Sequence, residues 1–176
     1  MRYRRARNPG GTYFFTVNLA NRESPLLVRH VETLRTAMRK VKAAHPFDIV
    51  AIVILPEHLH AIWRMPERDA DYPLRWSLIK AGFSRAIGSA GSGDASRPSR
   101  RERGIWQHRY WEHLIRDEAD LARHIDYVHY NPVKHGWAPS PASWPYSSFR
   151  NFVRRGLLAA DWGAGVDSDD GGFGER

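Results

Sequence analysis

The sequence predicts an α+β fold built on a single antiparallel sheet, and three features point to it. Runs rich in β-branched and aromatic residues at 12–19, 47–55, 58–65 and 106–115 read as four strands. Apolar residues at helical spacing over 29–44 and 74–87 put a helix between the first two strands and another between the last two. The Pro56-Glu57 corner joins the middle strands so closely that they read as a hairpin. Strand, helix, strand, strand, helix, strand is the ferredoxin-like βαββαβ plan, with its helices on one face of the sheet. An additional helix follows it.

Each element has a local reason. Gly10-Gly11 opens the first strand, Thr12 to Leu19. Val31, Leu34, Met38 and Val41 recur at spacings of 3, 4 and 3, the apolar stripe of a helix whose other face carries Arg35, Arg39, Lys40 and Lys42. Pro46 ends it. Phe47 to Leu55 is almost continuously apolar up to Pro56, and His58 to Met65 alternates. Leu74, Leu78, Ile79 and Phe83 are the expected core of the second helix. Residues 88–104, GSAGSGDASRPSRRERG, contain no large apolar side chain and read as a flexible basic loop. Asp117 is placed to N-cap the additional helix, with Asp120 in its first turn. That helix is expected to run to about Tyr130, because a residue before proline, here Asn131, is biased away from helical geometry. Tyr146 to Arg155 reads as short helices. The chain thus divides into one domain over 1–162 and an acidic, Gly-rich tail over 163–176.

Composition narrows the function. The 176 residues include no Cys, which excludes disulfides, thiolate zinc sites, iron–sulfur clusters and a Cys nucleophile. No apolar run approaches the roughly 18 residues that span a bilayer, and no apolar stretch follows the basic N-terminus as in a secretory signal. The net charge is +8, and it is uneven. Residues 1–45 hold ten Lys/Arg against two acids, whereas residues 117–176 hold six against nine. A basic front half points to a polyanion, most plausibly nucleic acid. Arg2, Arg4, Arg5 and Arg7 form a candidate DNA-binding arm. Trp63, Trp76, Trp106 and Trp111 are available to stack on bases, although core packing suits most of them better. The acidic tail is either a solvated end or a segment that folds back and competes with DNA.

Two small constellations carry chemistry. His58 and His60, at i and i+2 on a strand, point to one face with Cα atoms roughly 6.5–7 Å apart, a spacing that suits a shared cation. Two strand histidines making ordinary hydrogen bonds fit as well. Tyr127 and Asn131 lie one turn apart if the helix persists to Asn131, so a phenol and a carboxamide would point together. A surface Tyr and a helix-ending Asn fit the same pattern. As a set the four make sense. Phenol is a weak nucleophile at neutral pH, but beside a cation that polarises a phosphate it can attack phosphorus and hold it covalently.

The motifs Pro56-Glu57-His58-Leu59-His60, Trp106-Gln107-His108-Arg109-Tyr110-Trp111-Glu112-His113, His124-Ile125-Asp126-Tyr127 and Tyr130-Asn131-Pro132-Val133-Lys134-His135-Gly136 closely resemble the REP-associated tyrosine transposases. These are bacterial HUH endonucleases related to single-strand insertion-sequence transposases, and the resemblance runs from about Tyr3 to Trp162. It implies a ferredoxin-like catalytic domain in the bacterial cytoplasm, acting on nucleoid DNA as a monomer or homodimer. It implies cleavage of single-stranded or hairpin REP DNA with Mg²⁺ or Mn²⁺, leaving a 5′-phosphotyrosine and a free 3′-OH. His58 and His60 match the metal pair, Asn131 the third metal ligand, and Tyr127 the nucleophile. A domesticated hairpin-binding protein with little cleavage activity is the second reading, and an unrelated metallohydrolase using His58 and His60 the third.

Overall fold

The computed structural model describes residues 7–89 and 104–164. Four strands, β1 (Thr12–Asn18), β2 (Asp48–Ile54), β3 (His58–Arg64) and β4 (Trp111–Leu114), form one antiparallel sheet in the order β2-β3-β1-β4. The helices are α1 (Leu26–Arg29), α2 (Val31–Ala44), α3 (Tyr72–Ser89), α4 (Glu118–Lys134) and α5 (Phe149–Arg154). The βαββαβ order is therefore present, with α1 as a single extra turn before α2.

The period-two alternation of β1 and β3 divides two cores. Tyr13, Phe15 and Val17 with Leu59, Ala61 and Trp63 pack under α2 and α3, through Leu34, Met38, Trp76 and Phe83. Phe14 and Ile62 face the other way and pack with Val128 of α4 and Phe152 of α5. The two helices of the βαββαβ unit thus share one face, and the additional helix covers the opposite one. β2 reads as continuously apolar because it serves both cores: Ala51 and Val53 face α4, while Ile52 and Ile54 face α2. A register shift between Ile49 and Ala51 coincides with the consecutive residues Val50 and Ala51 packing in the same, α4-side core. Trp63 and Trp76 stack 4.1 Å apart inside the first core, so neither is offered to a base.

Leu78, Ile79 and Phe83 of α3 pack as expected, but Leu74 is exposed. Three further sequence expectations change. The fourth strand is only Trp111–Leu114, with Trp106 held to Leu19 by one bridge. Between those anchors, three steps on β1 face five on the other segment, so two extra residues interrupt the pairing, and His108 and Arg109 are exposed there. Tyr146 and Ser147 lie outside any helix, with Ser147 bridged to Val53, and the helix begins only after Ser148. This segment lies along the outer edge of β2, with Ile54 N–H donating to Tyr146 O (2.8 Å) and Ser148 N–H to Ile52 O (2.8 Å), which satisfies an otherwise open strand edge.

The third change matters most. α4 does not stop before Pro132 but passes through it to Lys134. Its end is a Schellman motif: Trp137 N–H donates to Pro132 O (2.8 Å), Gly136 N–H donates to Val133 O (2.9 Å), and Gly136 sits at φ +71°. Pro132 is buried, and that burial together with the satisfied terminal carbonyls overrides the pre-proline bias. A Cβ at Gly136 would meet nothing within 4 Å, so only the backbone opposes a side chain there. Gly136→Ala is expected to destabilise the fold by about 1 kcal/mol, read from the midpoint of urea unfolding.

The second core contains a buried titratable group. His129 shares a hydrogen bond (2.9 Å) with Ser148 Oγ and packs against Phe152, and burial pushes its imidazole down to about 4 from the usual 6.5. The fold thus favours neutral His129. Its contribution is full above pH 6.5, where the unfolded chain is also neutral, and is lost as pH falls towards 4, by up to about 3 kcal/mol. Urea midpoints of wild type and His129→Gln should therefore converge between pH 7 and pH 4.5. Parallel curves would show that His129 does not report the titration.

Residues 90–103, which hold most of the predicted basic loop, lie outside the described residues, as do Arg2, Arg4, Arg5 and the acidic tail from 165 onward. Arg7 is described and exposed. The last described residues are packed: the Cβ position of Gly163 lies 3.0 Å from Pro141 and 3.2 Å from the Tyr130 ring.

Candidate active site

The site forms because α4 runs back across the sheet. β4 pairs with β1 at the Tyr13–Thr16 end, so the chain leaves the sheet far from His58. Asp117 caps the helix that follows, its carboxylate accepting from Asp120 N–H at 2.7 Å. Rising about 1.5 Å per residue, α4 then travels along β1 and β3 towards Asn18 and His58. The ring contacts record this order. His124 lies 4.8 Å from Phe14, Tyr127 lies 5.1 Å from His60, and His135 lies 5.2 Å from His58, all centroid to centroid.

His58 and His60 are both fully buried on the face that α4 covers, with rings 4.9 Å apart. Each is oriented through Nδ1. Thr16, the cross-strand partner of His60 on β1, places Oγ1 2.9 Å from His60 Nδ1. Glu57 Oε1 lies 2.8 Å from His58 Nδ1, with Arg22 4.0 Å from the same oxygen and bonded to Asn18 Oδ1 at 2.7 Å. Burial is the largest single influence on the Glu57 carboxyl and raises it, but the hydrogen bond and charge of His58, with a backbone N–H and Arg22, together outweigh it and the net direction is downward. An Nδ1–H held by a carboxylate turns Nε2 into the lone-pair nitrogen, as in carboxylate–histidine–metal sites. His58 Nε2 is buried and makes no hydrogen bond with another protein group, which fits a ligand atom aimed at a cation.

On α4, Tyr127 and Asn131 do lie one turn apart, because the helix continues past both. Tyr127 is half-buried against Phe14 and His60, and Asn131 is fully buried. Tyr130 points elsewhere, 6.4 Å from Trp162. Two imidazole nitrogens and a carboxamide oxygen would make a three-donor set that suits Mn²⁺ better than the more oxygen-selective Mg²⁺.

Several residues here received no role from the sequence. Thr16 and Glu57 act through pairing and a corner that only the fold defines. Lys134 stands with Nζ 5.1 Å from the centroid of the Tyr127 ring, and His135 beside His58. Their signal was present: a basic last turn followed by Gly136 marks a helix end at Lys134 rather than at Pro132. A third group, His113, Asp120 and His124, has ligand atoms within 4.8 Å of one another, a spacing that could hold a metal ion. Asp120 is already committed there, taking hydrogen bonds from His113 Nε2 (2.8 Å), Arg116 N–H (3.0 Å) and Arg123 (3.2 Å). Burial opposes its charge, but the hydrogen bond and charge of His113 and the backbone and side-chain N–H groups of Arg116 together hold its carboxyl far below the usual carboxylate range. The cluster ties β4 to the first turn of α4 and so fixes where that helix starts.

No protein-family model matches the chain. Known proteins do. It is 47% identical over 174 residues to the REP-associated tyrosine transposase of Escherichia coli K12, covering 99% of this chain and 96% of that protein. The chain belongs to the REP-associated tyrosine transposases. A Haemophilus influenzae relative of the same family is 43% identical over 166 residues, 94% of each chain. A solved REP-associated tyrosine transposase, bound to a REP hairpin, superposes with a TM-score of 0.88 at 46% identity, covering 100% of this chain and 98% of that one. Membership in this transposase family removes the unrelated metallohydrolase. Among the described residues no helix is long and apolar enough to cross a membrane.

Proposed function

We propose that this transposase cleaves and rejoins single-stranded DNA beside REP-type hairpins through a covalent 5′-phosphotyrosine on Tyr127, with a divalent cation held by His58, His60 and Asn131. The observation that supports it most directly is the juxtaposition of the Tyr127 ring with His60, whose neighbour His58 offers a buried Nε2. A cation bound there would neutralise charge on the phosphate under attack. The protein's own residues do the rest. Glu57 and Thr16 hold the two imidazoles in one orientation. Phe14 fixes the Tyr127 ring from the side.

In the reaction the Tyr127 oxygen forms a bond to phosphorus and the P–O3′ bond breaks. The phenol proton leaves to solvent, and the departing 3′ oxygen takes one from solvent. The phosphodiester energy stays in the protein–DNA bond, so a free 3′-OH can reverse the step. Incubating the protein with Mn²⁺ and a REP-type hairpin carrying single-stranded flanks, then locating the adduct by peptide mass spectrometry, tests the proposal. An adduct on Tyr127 is the expected result. Hairpin binding without an adduct would favour the domesticated binding protein.

A further inference from the structure

We propose that Lys134 is a catalytic residue that binds the scissile phosphate from the Tyr127 side. This rests on the functional reading above and adds a residue to it. Positions four and seven beyond a helical residue lie about 40° and 20° from it around the axis, on opposite sides. Tyr127, Asn131 and Lys134 therefore form one stripe along α4. The stripe exists because the helix passes through Pro132 and is closed by the turn at Gly136. Lys134 Nζ lies 5.1 Å from the Tyr127 ring centroid, within cation–π range, so the ammonium is held beside the phenol before any DNA arrives.

The flexible Lys134 stem lets that ammonium reach a phosphate seated at the Tyr127 oxygen. The two histidines and the carboxamide are donors without net charge when neutral, whereas Lys134 brings a formal positive charge on a flexible stem with three N–H donors. Charge builds on the non-bridging oxygens as phosphorus becomes five-coordinate, and a cation already placed there stabilises that state. Lys134 keeps its protons throughout: the bond to Tyr127 forms, the P–O3′ bond breaks, and Lys134 acts on the phosphate by charge and hydrogen bonding.

The test uses the full chain and a hairpin with flanking single strand, the scissile position first being mapped from the wild-type adduct. A wild-type protein that forms no adduct overturns the functional reading itself. Given an adduct, Lys134→Gln should form it about 10²–10³-fold more slowly in single turnover, and Lys134→Arg should recover part of the rate. The second readout is binding alone, on a Tyr127→Phe background with chelator present, comparing native DNA with DNA bearing a neutral methylphosphonate at the mapped position. With Lys134 in place the neutral linkage should weaken binding about 5–10-fold. With Lys134→Gln it should change binding less than about two-fold. Equal weakening in both, or unchanged adduct formation in Lys134→Gln, overturns the proposal.

Discussion

With Tyr127 replaced by phenylalanine, covalent DNA adduct formation is expected to fall by at least about 10⁴-fold, because no other group replaces a lost nucleophile. Tyr130→Phe should stay within about two-fold of wild type. The contrast is sharp because the two phenols are three residues apart and diverge by about 60° around α4. One packs on His60 and Phe14, the other beside Trp162 and Gly163. Removing one oxygen from Tyr127 leaves its ring contacts in place, so stability should barely change. An adduct recovered on Tyr130, with Tyr127→Phe still active, would overturn the assignment.

His58→Ala and His60→Ala are each expected to reduce cleavage on the order of 10³-fold while hairpin affinity stays within a few-fold. Affinity for DNA comes mostly from phosphate contacts, which neither change removes. Both imidazoles are fully buried, and His60 stacks on Phe14 with centroids 5.4 Å apart, so some stability is lost too. A second measurement separates the causes. Mn²⁺ should raise the melting temperature of wild type, because it binds the folded chain, and should leave either variant unmoved. Wild-type-like cleavage by either variant at low Mn²⁺ would rule out the assigned ligand pair.

The site was legible where it depends on short-range periodicity. His58 and His60 share a strand face by the two-residue repeat, and Tyr127 and Asn131 share a helix face by the four-residue one. Each pair holds in the structure. Asp117 was readable as an N-cap because its carboxylate bonds a backbone N–H three residues away. What failed was a competition between two local signals. Pro132 argued for an end to α4 and Gly136 argued for continuing, and burial of Pro132 decided for Gly136. Reading the proline alone shortened the helix by one turn, and that turn carries Lys134 and His135.

The sequence by itself therefore determined the element order, which side chains share a face in each of the two pairs, and the basic character of the front of the chain. Each follows from neighbours within about one turn of helix or one strand repeat. Tertiary structure alone decided that α4 lies on the face opposite α2 and α3, and that Tyr127 comes to rest beside His60. It also decided that Thr16, 44 residues away, orients that histidine. Such placements depend on which strands pair and in what register. The packing of a whole sheet face fixes that, because a slip of one residue would turn both histidines away from α4.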